Sequence, residues 1–264
     1  MTNQQLNQLC TAVVETAKKA GAFIESQANK FSQTDIEEKA KNQLVSYVDK
    51  QAEALIVKDL EALLPEAGFI CEEETINKQG EYQWIIDPLD GTTNFLHQLP
   101  AYCVSIGLYK EKEGLIGVVY DIKRDECYHA YKGGGAFMNN EKIAVSGTDD
   151  FSQILVGTGF PYTDFSWADN YLEFLKFLMK ETRGIRRFGS AALDLCWVAC
   201  GKYDVFYEHS LQPWDVAGGA VIVAEAGGLV CDFKHEDNYL HYQQIVASNP
   251  IVFEQFMSQL QKNI

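Results

Sequence analysis

Trp84-Ile85-Ile86-Asp87-Pro88-Leu89-Asp90-Gly91-Thr92-Thr93-Asn94-Phe95 is the stretch on which the reading of this chain turns. A short apolar run, of strand length, delivers two carboxylates at its end and then bends on a glycine into hydroxyl residues. Asp87 and Asp90 stand three residues apart across Pro88, which fixes the local backbone, so both side chains and the Leu89 carbonyl can face one cation with hard oxygen ligands. Gly91 and Thr92 then offer backbone N–H groups at the start of a short helix, where a phosphate is favoured. The plainer alternative is a surface turn, because Asp-Pro and Asp-Gly are common turn dipeptides.

Working outward, the pattern on either side differs. Before residue 65, Leu6, Leu9, Val13, Ala17, Ala20 and Ile24, and again Val48, Ala52, Leu55, Ile56, Leu60 and Leu63, recur at helical steps and predict two amphipathic helices. From Phe69 to Tyr131 short apolar runs separated by polar or Gly-containing turns predict strands at 69–72, 83–87, 103–109, 115–122 and 126–131, read as an antiparallel sheet. Beyond about residue 150 strands and helices alternate. The expected class is α/β, layered helices and sheets, with an antiparallel N-terminal sheet and a smaller C-terminal α/β portion. No linker or repeat divides the chain, so residues 1–264 are expected to form one domain with possible subdomains at 1–145 and 146–264.

Composition narrows the function. With 264 residues, 47% hydrophobic and 22% charged, the chain is long enough for a full core and too apolar to be disordered. A net charge of −15 argues against nucleic acid or anionic membrane as partners and suits metal cations. No apolar run approaches a bilayer span, and the opening MTNQQLNQLC has no signal-peptide pattern, so a cytoplasmic protein is expected. Seven scattered cysteines without a CxxC pair predict reduced thiols and no zinc site.

Two further acidic places complement the central one: Glu72-Glu73-Glu74 at the end of an apolar strand, and Asp215 directly before a long apolar helix. Each has a plain alternative, a solvated strand end for the first and a helix N-cap for the second. Three element ends that supply carboxylates without adjacent Lys or Arg point together to divalent cations. Rival motifs fail: the spacing is neither D-x-D-x-T nor an EF-hand loop, no glycine-rich segment completes a dinucleotide or P-loop pattern, and the five histidines form no H-E-x-x-H.

Taken in order, Glu72-Glu73, Asp87-Pro-Leu-Asp90-Gly-Thr-Thr-Asn-Phe and Trp214-Asp215-Val-Ala-Gly-Gly resemble the three metal-site motifs of the inositol monophosphatase family. The resemblance extends to Leu44-Val45-Ser46-Tyr47-Val48-Asp49, Arg186-Arg187-Phe188-Gly189-Ser190-Ala191-Ala192 and Glu225-Ala226-Gly227-Gly228, and so covers nearly the whole chain. It implies a layered αβαβα arrangement of sugar-phosphatase type and a homodimer. It also implies two to three Mg²⁺ ions per site: Glu72, Asp87 and the Leu89 carbonyl on a first, Asp87, Asp90 and Asp215 on a second. Two such ions can flank an in-line displacement at phosphorus, with no phospho-enzyme. By the same resemblance Glu72 and Thr92 activate the attacking water, Gly91 and Thr92 hold phosphate oxygens, and Asp90, Ala191, Glu208 and Asp215 meet the substrate, with Gly189 and Ser190 shaping that wall. Arg186 is a further candidate substrate contact, with a surface ion pair as its alternative. Lys39, Asn42 and Asp49 fall where the family places a third metal site, but Gln43 replaces a common acidic residue there.

The resemblance therefore implies a Mg²⁺-dependent, lithium-sensitive phosphate monoesterase acting on myo-inositol monophosphate. Fructose 1,6-bisphosphate, histidinol phosphate and phosphoadenosine phosphate are alternative substrates on the same scaffold. A regulatory protein-binding role is the alternative of another class.

Overall fold

The computed structural model describes residues 1–28, 30, 36–40, 43–160 and 165–264, with 36–40 and 43–46 described by backbone alone. Helix α1 (Asn3–Gln27) begins on a capping box in which the Thr2 hydroxyl accepts the Gln5 N–H and the Gln5 side chain accepts the Thr2 N–H. Its residues Leu6, Val13, Ala17, Ala20 and Ile24 are buried, as are Val48, Ala52, Ile56 and Leu60 of α2 (Tyr47–Leu63), so the helical periodicity identifies the inward faces. Between them runs a hairpin that the periodicity does not signal, β1 (Ile36–Ala40) paired antiparallel with β2 (Gln43–Ser46).

The central sheet contains β3 (Gly68–Cys71), β4 (Tyr82–Asp90), β5 (Cys103–Lys110), β6 (Glu113–Asp121), β7 (Glu126–Tyr131), β8 (Gly135–Met138) and β9 (Glu141–Ile143), in that spatial order. The expectation of an antiparallel sheet holds from β4 to β9 and fails at β3, which pairs parallel to β4 with Phe69 opposite Trp84. Residues 72–81 return the chain to the starting end instead of making a hairpin, and that connection carries Glu72. The sheet is mixed.

A second mixed sheet has the order β11 (Gly184–Arg186), β10 (Leu155–Thr158), β12 (Val205–His209), β14 (Gln244–Ser248), β13 (Leu229–Cys231). Strands β11, β10 and β12 are parallel, and β14 is antiparallel to both β12 and β13. Helices α4 (Ala168–Glu181), α5 (Ala191–Ala199), α6 (Pro213–Glu225) and α7 (Phe253–Asn263) complete the layers, with a one-turn helix α3 (Thr92–Leu96) after β4.

Three apolar clusters explain the stacking. Trp84, Ile86, Val104 and Ile106 pack with α1 and α2 on one face of the central sheet. Ile85, Cys103 and Val119 of the opposite face pack with α5 and α6, which also meet Phe206, Ile245 and Ala247 of the second sheet. Val205, Tyr207 and Val246 face α4 and α7. The layers thus run αβαβα. Strand β4 reads as continuously apolar because both its faces are covered, and α5 and α6 are apolar all round for the same reason.

Helix α6 lies close on the central sheet, since a Cβ built on Gly117 would run into the Gly218 carbonyl. That approach sets the N-terminus of α6, with Asp215, beside the ends of β4 and β5, where the Ser105 hydroxyl donates to the Trp214 carbonyl at 3.5 Å. No helix among the described residues is long and apolar enough to cross a membrane. Six of the seven thiols are buried and Cys200 is half-buried, all of them free.

Candidate active site

Strand β4 does not end regularly. Asp87 pairs with Ser105 and Asp90 with Cys103, so one extra residue is accommodated between them as a bulge at Pro88-Leu89. In an unbroken strand residues three apart face opposite sides. The bulge removes that alternation and brings both carboxylates to one side. Gly91, at φ 93°, then turns the chain into α3.

Each carboxylate is held from the backbone. Asp87 Oδ1 accepts the Leu89 N–H at 2.9 Å. Asp90 Oδ2 accepts the Ser190 hydroxyl at 2.6 Å and the Ala192 N–H at 2.8 Å, which fastens β4 to the start of α5. Asp215 stands at the third position of α6, two residues inside the helix start, and its Oδ2 accepts the Gln212 N–H at 2.6 Å; Gln212 is the N-cap. Asp215 thus closes a capping box and still faces the other two aspartates. One oxygen from each of Asp87, Asp90 and Asp215 lies within 4.8 Å of the others.

Burial pushes the Asp87 carboxyl well up, and the neighbouring charges of Glu72, Asp90 and Asp215 add to it. Asp215 is raised by burial and by Asp90. Asp90 is raised by burial despite the hydrogen bonds from Ser190 and Ala192 that favour its charge. No Lys or Arg bridge to these three appears among the described residues. Hard oxygen donors that repel one another and are withdrawn from water suit a divalent cation such as Mg²⁺.

The cluster lines a cavity of about 310 Å³. Glu72, Asp87, Leu89, Asp90, Gly91, Thr92, Gly189, Ser190, Ala191, Glu208 and Asp215, all singled out from the sequence, line it together. The Thr92 hydroxyl lies 3.0 Å from the Leu89 carbonyl and 3.2 Å from Asp49 Oδ1, two acceptors for its single proton. Glu208 is buried, and its carboxyl is pushed up to about 8, mainly by burial.

Arg186 does not line the cavity; it is exposed at the end of β11, where its guanidinium donates to the Ile185 carbonyl. Arg187 lines it instead, with its guanidinium 5.9 Å from the centre of the Phe160 ring. Both arginines are exposed, and the doublet falls where a strand ends, so periodicity cannot say which of them lines the cavity. Asn94, which its sequence context does not mark as a lining residue, also lines the cavity: its amide donates to the Ala101 carbonyl at 2.7 Å and the Phe188 carbonyl at 2.8 Å, joining the turn after β4 to the segment before α5. His209 lines the cavity too, its ring 4.0 Å from that of Trp167. Of the residues expected around a third ion, Asn42 lies outside the described residues, as do the side chains of Lys39 and Gln43, while Asp49 is buried beside Thr92.

Residues 5–264 match the model of the inositol monophosphatase family. The chain belongs to the inositol monophosphatase family. This inositol monophosphatase homologue is 41% identical to the putative Nus factor SuhB of Neisseria meningitidis serogroup B, over 96% of this chain and 97% of that protein. It is 36% identical to an inositol-1-monophosphatase of Mesorhizobium japonicum, over 96% of each. Among solved structures it superposes on the inositol monophosphatase of Anabaena with a TM-score of 0.87 at 36% identity, covering 100% of this chain and 98% of that one. On the extragenic suppressor protein suhB of Bartonella henselae the TM-score is 0.91 at 36% identity, covering 96% and 98%. The family's fold is therefore the fold of this chain.

Proposed function

We propose that this protein hydrolyses phosphate monoesters of polyols, myo-inositol monophosphate first among them, in a Mg²⁺-dependent reaction. The observation that carries the reading is the meeting of Asp87, Asp90 and Asp215 within 4.8 Å in a cavity that Glu208 also lines. In this reading Glu72, Asp87, Asp90, Asp215 and the Leu89 carbonyl hold the cations. When bound, Mg²⁺ offsets the charge of the phosphate and acidifies water. The Gly91 and Thr92 N–H groups hold phosphate oxygens. The Thr92 hydroxyl, steered by Asp49 and the Leu89 carbonyl, orients the attacking water, and Glu72 takes its proton. Protonated near neutral pH, Glu208 can both donate to and accept from a polyol hydroxyl, and Ser190 and Ala191 shape the surface beside it. Net displacement leaves inorganic phosphate and the free alcohol.

The test is phosphate release from inositol 1-phosphate, fructose 1,6-bisphosphate, histidinol phosphate and phosphoadenosine phosphate, each with Mg²⁺ and with EDTA. Preference for inositol 1-phosphate that EDTA abolishes supports the reading. Mg²⁺-dependent release from another member keeps the chemistry and changes the substrate, and no release from any of them refutes it.

Several relatives favour a second reading by their names: the proteins at 37% identity from Salmonella typhimurium and Escherichia coli are both Nus factor SuhB. Under this reading the chain works through protein partners and hydrolysis is secondary. An Asp90→Asn protein that loses phosphatase activity while supporting cellular function would favour it; parallel loss of both favours catalysis.

A further inference from the structure

Glu53 lies on α2, outside the cavity lining, and is fully buried. Its two oxygens have separate tasks: Oε2 accepts the Glu73 N–H at 2.7 Å and Oε1 accepts the Thr75 N–H at 2.8 Å. A carboxylate withdrawn from water is costly unless its oxygens are hydrogen-bonded, and an apolar side chain would fill the same place without that cost. What the carboxylate grips is the loop that follows Glu72. Just before the grip, the Glu72 N–H donates to the Ile86 carbonyl at 3.2 Å, and between the two gripped amides Glu74 is held at φ 53°. A non-glycine residue in that left-handed region is strained and persists when its surroundings impose it. Four residues earlier on the same face of α2, Asp49 accepts the Thr92 hydroxyl. One helix face therefore reaches two separate segments of the site.

We propose that Glu53 is a positioning residue. It sets the 72–75 loop so that Glu72 already lines the cavity together with Asp87 before any cation arrives. The proposal rests on the reading of Glu72 as a cation ligand. Aligned beforehand, Glu72 loses little freedom on binding, which tightens the cation site and fixes the base that faces the attacking water. The phosphate donors and the Glu208 wall belong to other segments and do not depend on Glu53.

The test compares Glu53→Gln with Glu72→Gln and the unaltered protein, using calorimetric Mg²⁺ titration of the whole chain and steady-state kinetics. Glutamine keeps one acceptor and turns an NH₂ toward the other amide, so one of the two loop bonds is lost. The expected result is Mg²⁺ binding weakened about tenfold in Glu53→Gln, kcat lowered, and KM for the phosphate ester within about twofold. A merely structural Glu53 would lower the melting temperature and leave Mg²⁺ affinity and kcat alone; that result, with Mg²⁺ binding lost in Glu72→Gln, overturns the proposal. Undiminished Mg²⁺ binding in Glu72→Gln instead removes the cation-ligand reading beneath it and the proposal with it. If Glu53→Gln does not fold, amide exchange in the unaltered, Mg²⁺-free protein decides. Slow exchange at Glu73 and Thr75 is expected, and exchange as fast as in an open loop overturns the proposal.

Discussion

Asp87→Asn should make the cation-free protein more stable while removing its response to Mg²⁺. The ligand oxygens of Asp87, Asp90 and Asp215 lie within 4.8 Å of one another. At that spacing and an effective dielectric constant of about 20, two unit charges repel by about 3–4 kcal/mol. Asparagine at 87 removes two of the three pairs, a ceiling of about 7 kcal/mol if all three were ionised. All three carboxyls are raised, so partial protonation relieves some of this repulsion, leaving a gain of about half the ceiling, about 2–4 kcal/mol. For a chain of this size that is a rise of about 5–10 °C in melting temperature. Asn Oδ1 can still accept the Leu89 N–H, so the bulge keeps its tie. The sign of the pH dependence follows. A carboxyl raised in the native state holds a proton that the unfolded chain releases, so cation-free stability falls as pH rises from the ordinary aspartate range through the raised value. The variant should show a flatter fall. Scanning calorimetry in EDTA and in millimolar Mg²⁺, at several pH values, measures all of this. A variant less stable than the parent in EDTA, or one stabilised by Mg²⁺ as much as the parent, would refute the assignment of these aspartates to a shared cation.

Three further outcomes are expected. Gly159→Ala should raise KM sharply with little loss of folding, because the added Cβ would collide with the Glu208 carboxylate and force it from its place on the cavity wall; unchanged KM would show that Glu208 meets no substrate. Arg187→Ala should weaken substrate binding, whereas Arg186→Ala should change KM by less than about twofold, as for an exposed charge outside the cavity lining; the reverse order would restore Arg186 as the contact. Glu208→Gln should remove a stability loss that in the parent grows between pH 4.5 and about 8, since the native Glu208 carboxyl keeps its proton there and the unfolded one does not. Denaturant titrations across that range check it.

Much of the site was legible because its chemistry is local. Asp87, Asp90, Gly91 and Thr92 sit within six residues, and two carboxylates at the end of an apolar strand, with no lysine or arginine beside them, already point to a cation. The buried faces of α1 and α2 follow from helical spacing, and the continuous apolar runs of β4 and α6 already imply cover on both sides. Other features depend on contacts between segments far apart in the chain. Whether Arg186 or Arg187 enters the cavity depends on how β11 ends against its neighbours. That β3 lies parallel to β4 depends on the course of residues 72–81. Glu53 reads as one more polar position on an amphipathic helix until the loop beyond Glu72 folds back onto it.

The amino-acid order by itself determined the layered α/β class and the three acidic motifs, since periodicity and local motif chemistry are properties of neighbouring residues. Only the tertiary structure decided that those motifs converge. A bulge turns Asp87 and Asp90 to one side, and the close seating of α6 on Gly117 brings Asp215 to them. Like charges do not assemble of their own accord; packing of the surrounding apolar layers holds them together.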